Sequence, residues 1–80
     1  MAETPSNHIL RRLRKQLGLS QPELEAIAGV SLYYIGRMEL GRHCPSLRTI
    51  RRLAHGLHAA GLDMDEQDIV CLLVREWECT

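Results

Sequence analysis

The chain has 80 residues, of which 45% are apolar and 25% are charged, and its formal net charge at pH 7 is zero. These values predict one small folded domain and exclude a disordered chain. The sequence has neither an apolar run of membrane-spanning length nor the apolar core of a signal peptide, so we expect a cytoplasmic protein without membrane contact.

The charges are divided unevenly along the chain. Positions 8–58 carry nine basic residues against three acidic ones, a net charge of +6. Positions 59–80 carry six acidic residues against one basic one, a net charge of −5. The zero overall charge argues against a polyanionic partner, but a basic body with an acidic end is a recognised sign of nucleic-acid binding.

The cysteines and histidines form no recognisable chemical site. The three cysteines are an odd number without a C-x-x-C pair, so we expect reduced thiols rather than a disulfide framework. His55 and His58 stand three apart, but no further ligands follow at a metal-binding spacing. Neighbouring loop residues such as His43 and Cys44 seldom hold the geometry of a nucleophile and its base. We therefore predict no metal, no cofactor and no enzymatic activity.

Apolar residues recur at helical spacing through most of the chain, and no segment shows the alternation of a strand. We therefore predict an all-α fold, a compact bundle of five helices. The predicted helices span 7–17, 21–28, 32–40, 46–60 and 64–78, after a flexible polar arm at 1–7. From the second to the fourth helix, the residues expected to face the core are Leu24, Ile27, Ala28, Ile35, Met38, Leu47, Ile50, Leu53, Ala54 and Leu57.

The clearest local signals lie around the second and third helices. Ser20 and Glu23 form an S-x-x-E capping box that begins the second helix. Gly29 ends that helix because glycine accepts a left-handed conformation, and Ser31 can cap the next helix at once. Two helices joined by a three- or four-residue turn with glycine are the sequence form of a helix-turn-helix.

The last helix is apolar almost all round. Ser46 caps the fourth helix, and Asp63 with Glu66 forms a second capping box that opens the fifth. An apolar arc this wide predicts a homodimer surface, with the open alternative that the helix closes the core of a single chain. We therefore divide the chain into a helix-turn-helix part, 8–60, and a C-terminal part that we predict to dimerise, 61–80. The predicted dimer residues are Ile69, Val70, Leu73, Val74 and Trp77.

Four segments match a known family in order and spacing. They are LRKQLGLSQPEL at 13–24, GVS at 29–31, YIGRMELG at 34–41 and PSLRTIRRLA at 45–54. Together they make the region from Leu10 to Leu57 resemble the lambda-repressor-like, Cro- and XRE-type helix-turn-helix DNA-binding domains. In that family the third helix lies in the major groove, and the second helix crosses the DNA backbone.

The resemblance implies a role for individual residues. Leu32, Tyr33 and Arg37 would face base edges, with Arg37 suited to the O6 and N7 atoms of guanine. An ion pair between Arg14 and Glu39 would be structural. The residues implied to contact the DNA backbone are Gln21, Ser31, Tyr34, Arg42 and His43.

Glu25 departs from the family pattern, which usually has alanine at this position because the second and third helices pack closely there. We expect its carboxylate either to bend out to solvent or to pair with a basic residue. Its charge also stands close to the predicted reading surface.

Two functions fit these observations. The first is a sequence-specific transcriptional regulator, a repressor that binds double-stranded DNA as a dimer on a palindromic operator. The alternative is a protein-interaction module that uses the same fold to hold a protein partner, as an antitoxin holds a toxin. Steep weakening of DNA binding by salt favours the first, and salt-insensitive protein binding favours the second.

Overall fold

The computed structural model describes residues 8–76, with the side chains of residues 9–75, and its regular structure there is entirely helical. The all-α prediction is therefore confirmed. The predicted arm at 1–7 and the last four residues, including Trp77, lie outside the described residues. The helices are α1 His8–Gln16, α2 Gln21–Ala28, α3 Leu32–Glu39, α4 Leu47–Ala59 and α5 Glu66–Glu76.

The predicted caps define α2 and the turn into α3. The Ser20 hydroxyl accepts a hydrogen bond from the Glu23 amide, and the Ser20 amide donates to the Glu23 carboxylate at 2.7 Å, which completes the capping box. Gly29 has a φ of +72°, and its amide donates to the Glu25 carbonyl. Ser31 then accepts from the Tyr33 amide at 3.2 Å. These local hydrogen bonds replace those that the helix ends cannot make internally.

The core lies between α2, α4 and α5, with α1 and α3 packed on its sides. α4 contacts α2 and α5, α2 contacts α3, and α1 contacts α5 and α3. Each helix contributes at least one fully buried apolar side chain, as its amphipathic pattern predicts. These side chains are Leu10, Leu24, Ile35, Met38, Leu53, Leu57, Ile69 and Leu73.

A glycine allows α2 and α4 to approach closely. Gly56 is buried in the middle of α4, and a Cβ atom built on it would lie 2.9 Å from both the Cα and the Cβ of Ala28. Two carbon atoms at van der Waals contact are about 3.5–4.0 Å apart. The close contact between the two helices therefore depends on Gly56 having no side chain. This contact fixes the position of α2 and of the turn that follows α2.

Two predicted core positions lie at the surface instead. Ile27 and Leu47 are both exposed. Leu24 and Ala28, four residues apart, form the buried face of α2, and Ile27 lies beside that face. Leu47 is the first residue of α4, one turn before the first buried position, Ile50.

The fifth helix closes the core of the single chain. Ile69 and Leu73 are 0% exposed and belong to the same apolar cluster as the other helices, so they have no surface left for a partner. The prediction that they form a dimer surface is wrong for these two residues. Val70 is half-buried and packs against the core, while Val74 is exposed.

The fifth helix also begins two residues later than predicted. Glu66 is its first residue, and the carbonyl of Asp65, not of Asp63, accepts the first helical hydrogen bond, from Ile69. The Glu66 carboxylate contacts the Nδ1 atom of His55 on α4. Leu62 is buried, and its carbonyl accepts a hydrogen bond from the Met64 amide. The residues between Leu62 and Glu66 therefore form a turn rather than the start of the helix. The expected capping box is therefore replaced by a contact between two helices.

The cysteines differ from the prediction at one position. Cys71 is a free, exposed thiol, as expected. Cys44 is disulfide-bonded, so the expectation of reduced thiols is wrong there. Between residues 8 and 76, none of the helices is long and apolar enough to cross a membrane.

Candidate nucleic-acid interface

The outer face of α3 is exposed while its inner face is fixed in the core. Ile35 and Met38 are fully buried, which confirms the predicted orientation of the helix. The opposite side presents a mixed apolar and aromatic surface rather than the charged residues usual on a solvated helix. Its exposed large residues are Leu32, Tyr33, Tyr34 and Leu40.

Arg37 is held at two points on this face. Its guanidinium carbon lies 5.4 Å from the centroid of the Tyr33 ring, a cation–π distance. Its Nη2 atom lies 3.5 Å from the carbonyl oxygen of Arg42, at the outer limit of a hydrogen bond. The Arg42 amide in turn donates to the Arg37 carbonyl at 2.8 Å, so the end of α3 and the following loop form one unit. The guanidinium is thus oriented before any ligand arrives.

Aromatic contacts join α3 to the loop that follows it. The rings of Tyr33 and Tyr34 meet edge to face, with centroids 5.4 Å apart and an interplanar angle of 70°. The ring of Tyr34 lies 5.0 Å from that of His43. The fold therefore brings together four residues that the sequence assigned to base reading or backbone contact, with Arg37 at one end of the row and His43 at the other.

Gln21 at the start of α2 is fixed to the end of α3. Its side-chain amide donates to the Oε1 atom of Glu39 at 3.0 Å, a contact that the sequence did not predict. A Cβ atom on Gly36 would lie 3.9 Å from the Gln21 Oε1 atom, so the amide lies close over α3. A primary amide has two N–H donors, so the amide nitrogen keeps a second N–H while Glu39 occupies the first.

Glu39 is also the partner of Arg14, as predicted. The Nε and Nη2 atoms of Arg14 donate to the two Glu39 oxygens at 2.8 and 3.0 Å, and its Nη1 atom donates to the Leu19 carbonyl at 2.9 Å. Both residues are only 7% exposed. The hydrogen bonds that Arg14 donates to Glu39 raise the pKa of Arg14, against the opposing effect of burial. The guanidinium therefore stays charged, and it joins α1 to the end of α3.

A concave surface of about 300 Å³ lies beside α3, where α4 begins. It is lined by Val30, Tyr34, His43, Cys44, Ser46 and Thr49. Ser46 caps α4 by accepting from the Thr49 amide at 3.3 Å. The positive end of a helix dipole beside a histidine makes this surface suited to an anion such as a phosphate group.

The remaining predicted residues have distinct positions. Ser31 caps α3 with its oxygen, which leaves its O–H proton to donate elsewhere. Glu25 is exposed, so its carboxylate bends out to solvent and α2 and α3 pack without it. Exposed basic side chains lie on α1 and α4, and exposed acidic ones lie around the start of α5.

Comparison with known proteins agrees with this architecture. The family described as "Helix-turn-helix domain" matches residues 8–67. An uncharacterized HTH-type transcriptional regulator of Sinorhizobium fredii is 38% identical over 53 residues, covering 66% of this chain and 69% of that protein. A similarly named protein of Methanothermobacter thermautotrophicus is 43% identical over 49 residues, covering 61% of this chain and 71% of its own.

A third relative, from Haemophilus influenzae, also carries the name of an uncharacterized HTH-type transcriptional regulator. It is 45% identical over 40 residues, which cover 50% of this chain and 41% of that protein. No solved structure matches the chain significantly. Because the family match covers well over half of the chain and includes all of α1 to α4, this protein belongs to the helix-turn-helix domain family.

Proposed function

We propose that this protein is a DNA-binding transcriptional regulator whose α3 enters the major groove. The observation that carries the proposal is the outward face of α3, on which Tyr33 and the Arg42 carbonyl hold the Arg37 guanidinium in place. A guanidinium fixed in this way can donate two hydrogen bonds to the O6 and N7 atoms of guanine. The relatives named as transcriptional regulators support the same function.

Contacts to the DNA backbone would set the register of α3. Gln21 keeps an N–H donor and Ser31 keeps an O–H donor beside the outward face of α3. Tyr34 and His43 border the concave surface where α4 begins, and Arg42 is exposed nearby. Such contacts fix the position of a protein on the duplex but carry no sequence information directly.

The finer parts of the proposal are a homodimer, a palindromic operator and repression of the genes beside it. One recognition helix reaches too few base pairs to select a site in a genome, whereas a symmetric dimer reads two half-sites about 34 Å apart. With Ile69 and Leu73 in the core, the remaining candidates for the contact are Val70, Val74 and Trp77. Sedimentation velocity with and without the selected DNA tests the dimer directly.

Replacing Arg37 by alanine is expected to cost about 1–3 kcal/mol of binding free energy on the preferred sequence and to relax preference at one base pair. Random-sequence selection followed by gel-shift titration at low salt measures both effects. Arg12→Ala removes the same charge from the exposed surface of α1 and should leave the base preferences unchanged. If the unaltered protein enriches no sequence, the proposed function is wrong.

Replacing Gln21 by alanine is expected to weaken binding to the selected and to random sequences by the same factor. The side chain is neutral, so the slope of log affinity against log salt concentration should not change. Fluorescence anisotropy across a salt series measures both quantities. Gln67→Ala, on the exposed surface of α5, is the matched control. A loss confined to one sequence would instead assign Gln21 to base reading.

A second candidate, a protein-interaction module, is favoured by the exposed apolar residues at the ends of the α3–α4 loop. Leu40 is 62% exposed and Leu47 is 49% exposed. Binding to a protein partner that persists at high salt, without measurable affinity for any DNA, would support this function over the first.

A further inference from the structure

The contact between Arg37 and Tyr33 has a consequence for the DNA sequence that α3 would prefer. The two residues are four apart, so they lie on one face of the helix. Tyr33 is 64% exposed, yet its ring is held between the Arg37 guanidinium and the edge contact with Tyr34. A large apolar surface that is both exposed and fixed in orientation is suited to ligand contact, because little side-chain freedom is lost on binding.

The position of the ring follows from that of the guanidinium. A guanidinium that donates two hydrogen bonds to O6 and N7 lies close to the plane of the guanine. The Tyr33 ring centroid is 5.4 Å from the guanidinium carbon, with the guanidinium over the face of the ring. Successive base pairs are stacked about 3.4 Å apart. The ring would therefore meet the edge of the neighbouring base pair.

An apolar contact at that edge can distinguish one base from the others. In the major groove the C5-methyl group of thymine is the apolar feature that distinguishes one base from the others. We propose that Tyr33 and Arg37 act as one reading unit, in which Arg37 selects guanine and the Tyr33 ring selects thymine in the adjacent base pair. This inference rests on the proposed function, and it assigns the class of dinucleotide step that the helix recognises.

Removal of the methyl group alone tests the proposal. The preferred sequence is first selected with the full chain, and the guanine read by Arg37 is identified as the position where Arg37→Ala loses preference. Each thymine in the two flanking base pairs is then replaced by deoxyuridine, which pairs identically but lacks the C5-methyl group. Dissociation constants are measured for the unaltered protein and for Tyr33→Phe and Tyr33→Ala.

We expect a thymine beside the guanine, and we expect deoxyuridine at that position to weaken binding about three- to fivefold, as for one buried methyl group. Tyr33→Phe keeps the ring and should show the same loss. Tyr33→Ala should bind thymine and deoxyuridine duplexes equally. Equal affinity of the unaltered protein for both duplexes, no thymine beside the guanine, or a methyl effect that persists in Tyr33→Ala would overturn the inference.

These outcomes separate the inference from the proposed function. Selection of a defined site that is insensitive to the methyl group would retain a sequence-specific regulator and reject the reading unit. Failure to select any site would reject both. Circular dichroism of each variant checks that the helices are intact; because Tyr33 is exposed, both substitutions should leave the unfolding midpoint nearly unchanged.

Discussion

Replacing Glu39 by alanine is expected to lower the free energy of unfolding by about 3–5 kcal/mol, a large part of the total stability of a small domain. Arg14 is 7% exposed. The substitution removes both hydrogen bonds from its guanidinium to the Glu39 carboxylate and keeps the one to the Leu19 carbonyl. An uncompensated buried charge costs more than the ion pair itself contributes. Urea denaturation followed by circular dichroism measures the loss.

Two further variants identify the cause of this effect. Glu25→Ala removes an exposed carboxylate from the neighbouring helix and should change stability by less than about 0.5 kcal/mol. The double substitution Arg14→Met with Glu39→Leu removes both charges and should recover most of the loss. If the double variant is as unstable as Glu39→Ala, packing rather than the unpaired charge explains the result.

The pH dependence of the ion pair follows from the raised pKa of Arg14. A cation whose pKa is higher in the folded state than in the unfolded state adds stability below the unfolded value, and that stability is lost as the pH rises through the folded value. For an arginine this window lies above about pH 12. We therefore expect the contribution of the Arg14 charge to be constant across the neutral range.

Loss of the ion pair should also affect the surface proposed to bind DNA. Glu39 accepts hydrogen bonds from both Arg14 and Gln21, so it connects the structural brace to a proposed backbone contact. Under conditions in which Glu39→Ala remains folded, we expect it to weaken binding to all sequences, as Gln21→Ala does. Glu39 is thus a positioning residue, which explains an acidic side chain so close to a surface proposed to meet phosphates.

Replacing Gly56 by valine is expected to destabilise the protein by about 3 kcal/mol or more, because the new side chain would overlap the backbone of Ala28. Even the Cβ atom would lie 2.9 Å from the Ala28 Cα atom. A main-chain atom inside a helix cannot move aside as the end of a flexible side chain can. Thermal and urea unfolding of the variant measure the change.

A second helical glycine provides the matched control. Gly36 lies within α3, and a Cβ atom there would lie 3.9 Å from the Gln21 side chain, an ordinary contact. Gly36→Ala should therefore stabilise the protein by about 0.5–1 kcal/mol, the usual gain when alanine replaces glycine in a helix. If Gly56→Val is as stable as the unaltered protein, the close packing of α2 on α4 is not required.

Local sequence signals predicted the helix-turn-helix because the interactions that define it are short in range. The capping box at Ser20 joins atoms three residues apart, and the left-handed Gly29 and the Ser31 cap act over a few residues. The spacing of Ile35 and Met38 likewise predicted correctly which face of α3 is buried. Such features depend on backbone geometry that every helix shares, so they can be recognised without the rest of the chain.

Amphipathic patterns were less informative where the fold decides how much of a face is covered. Ile69 and Leu73 were predicted to be exposed to a partner, yet α4 and α1 cover them. Ile27 and Leu47 were predicted to be buried and lie at the surface. The periodicity of a helix shows which residues share a face, but not how far the neighbouring helices extend over it.

The sequence by itself determined the helical class, the turn between α2 and α3, the outward face of α3 and, through family resemblance, the Arg14–Glu39 pair. Only the tertiary structure decided that Gln21 joins that pair, that the Arg42 carbonyl holds Arg37, and that Gly56 lets α4 pack against Ala28. These contacts join residues on different helices or on a helix and a loop. Their geometry depends on helix positions set by the whole core, which no local pattern encodes.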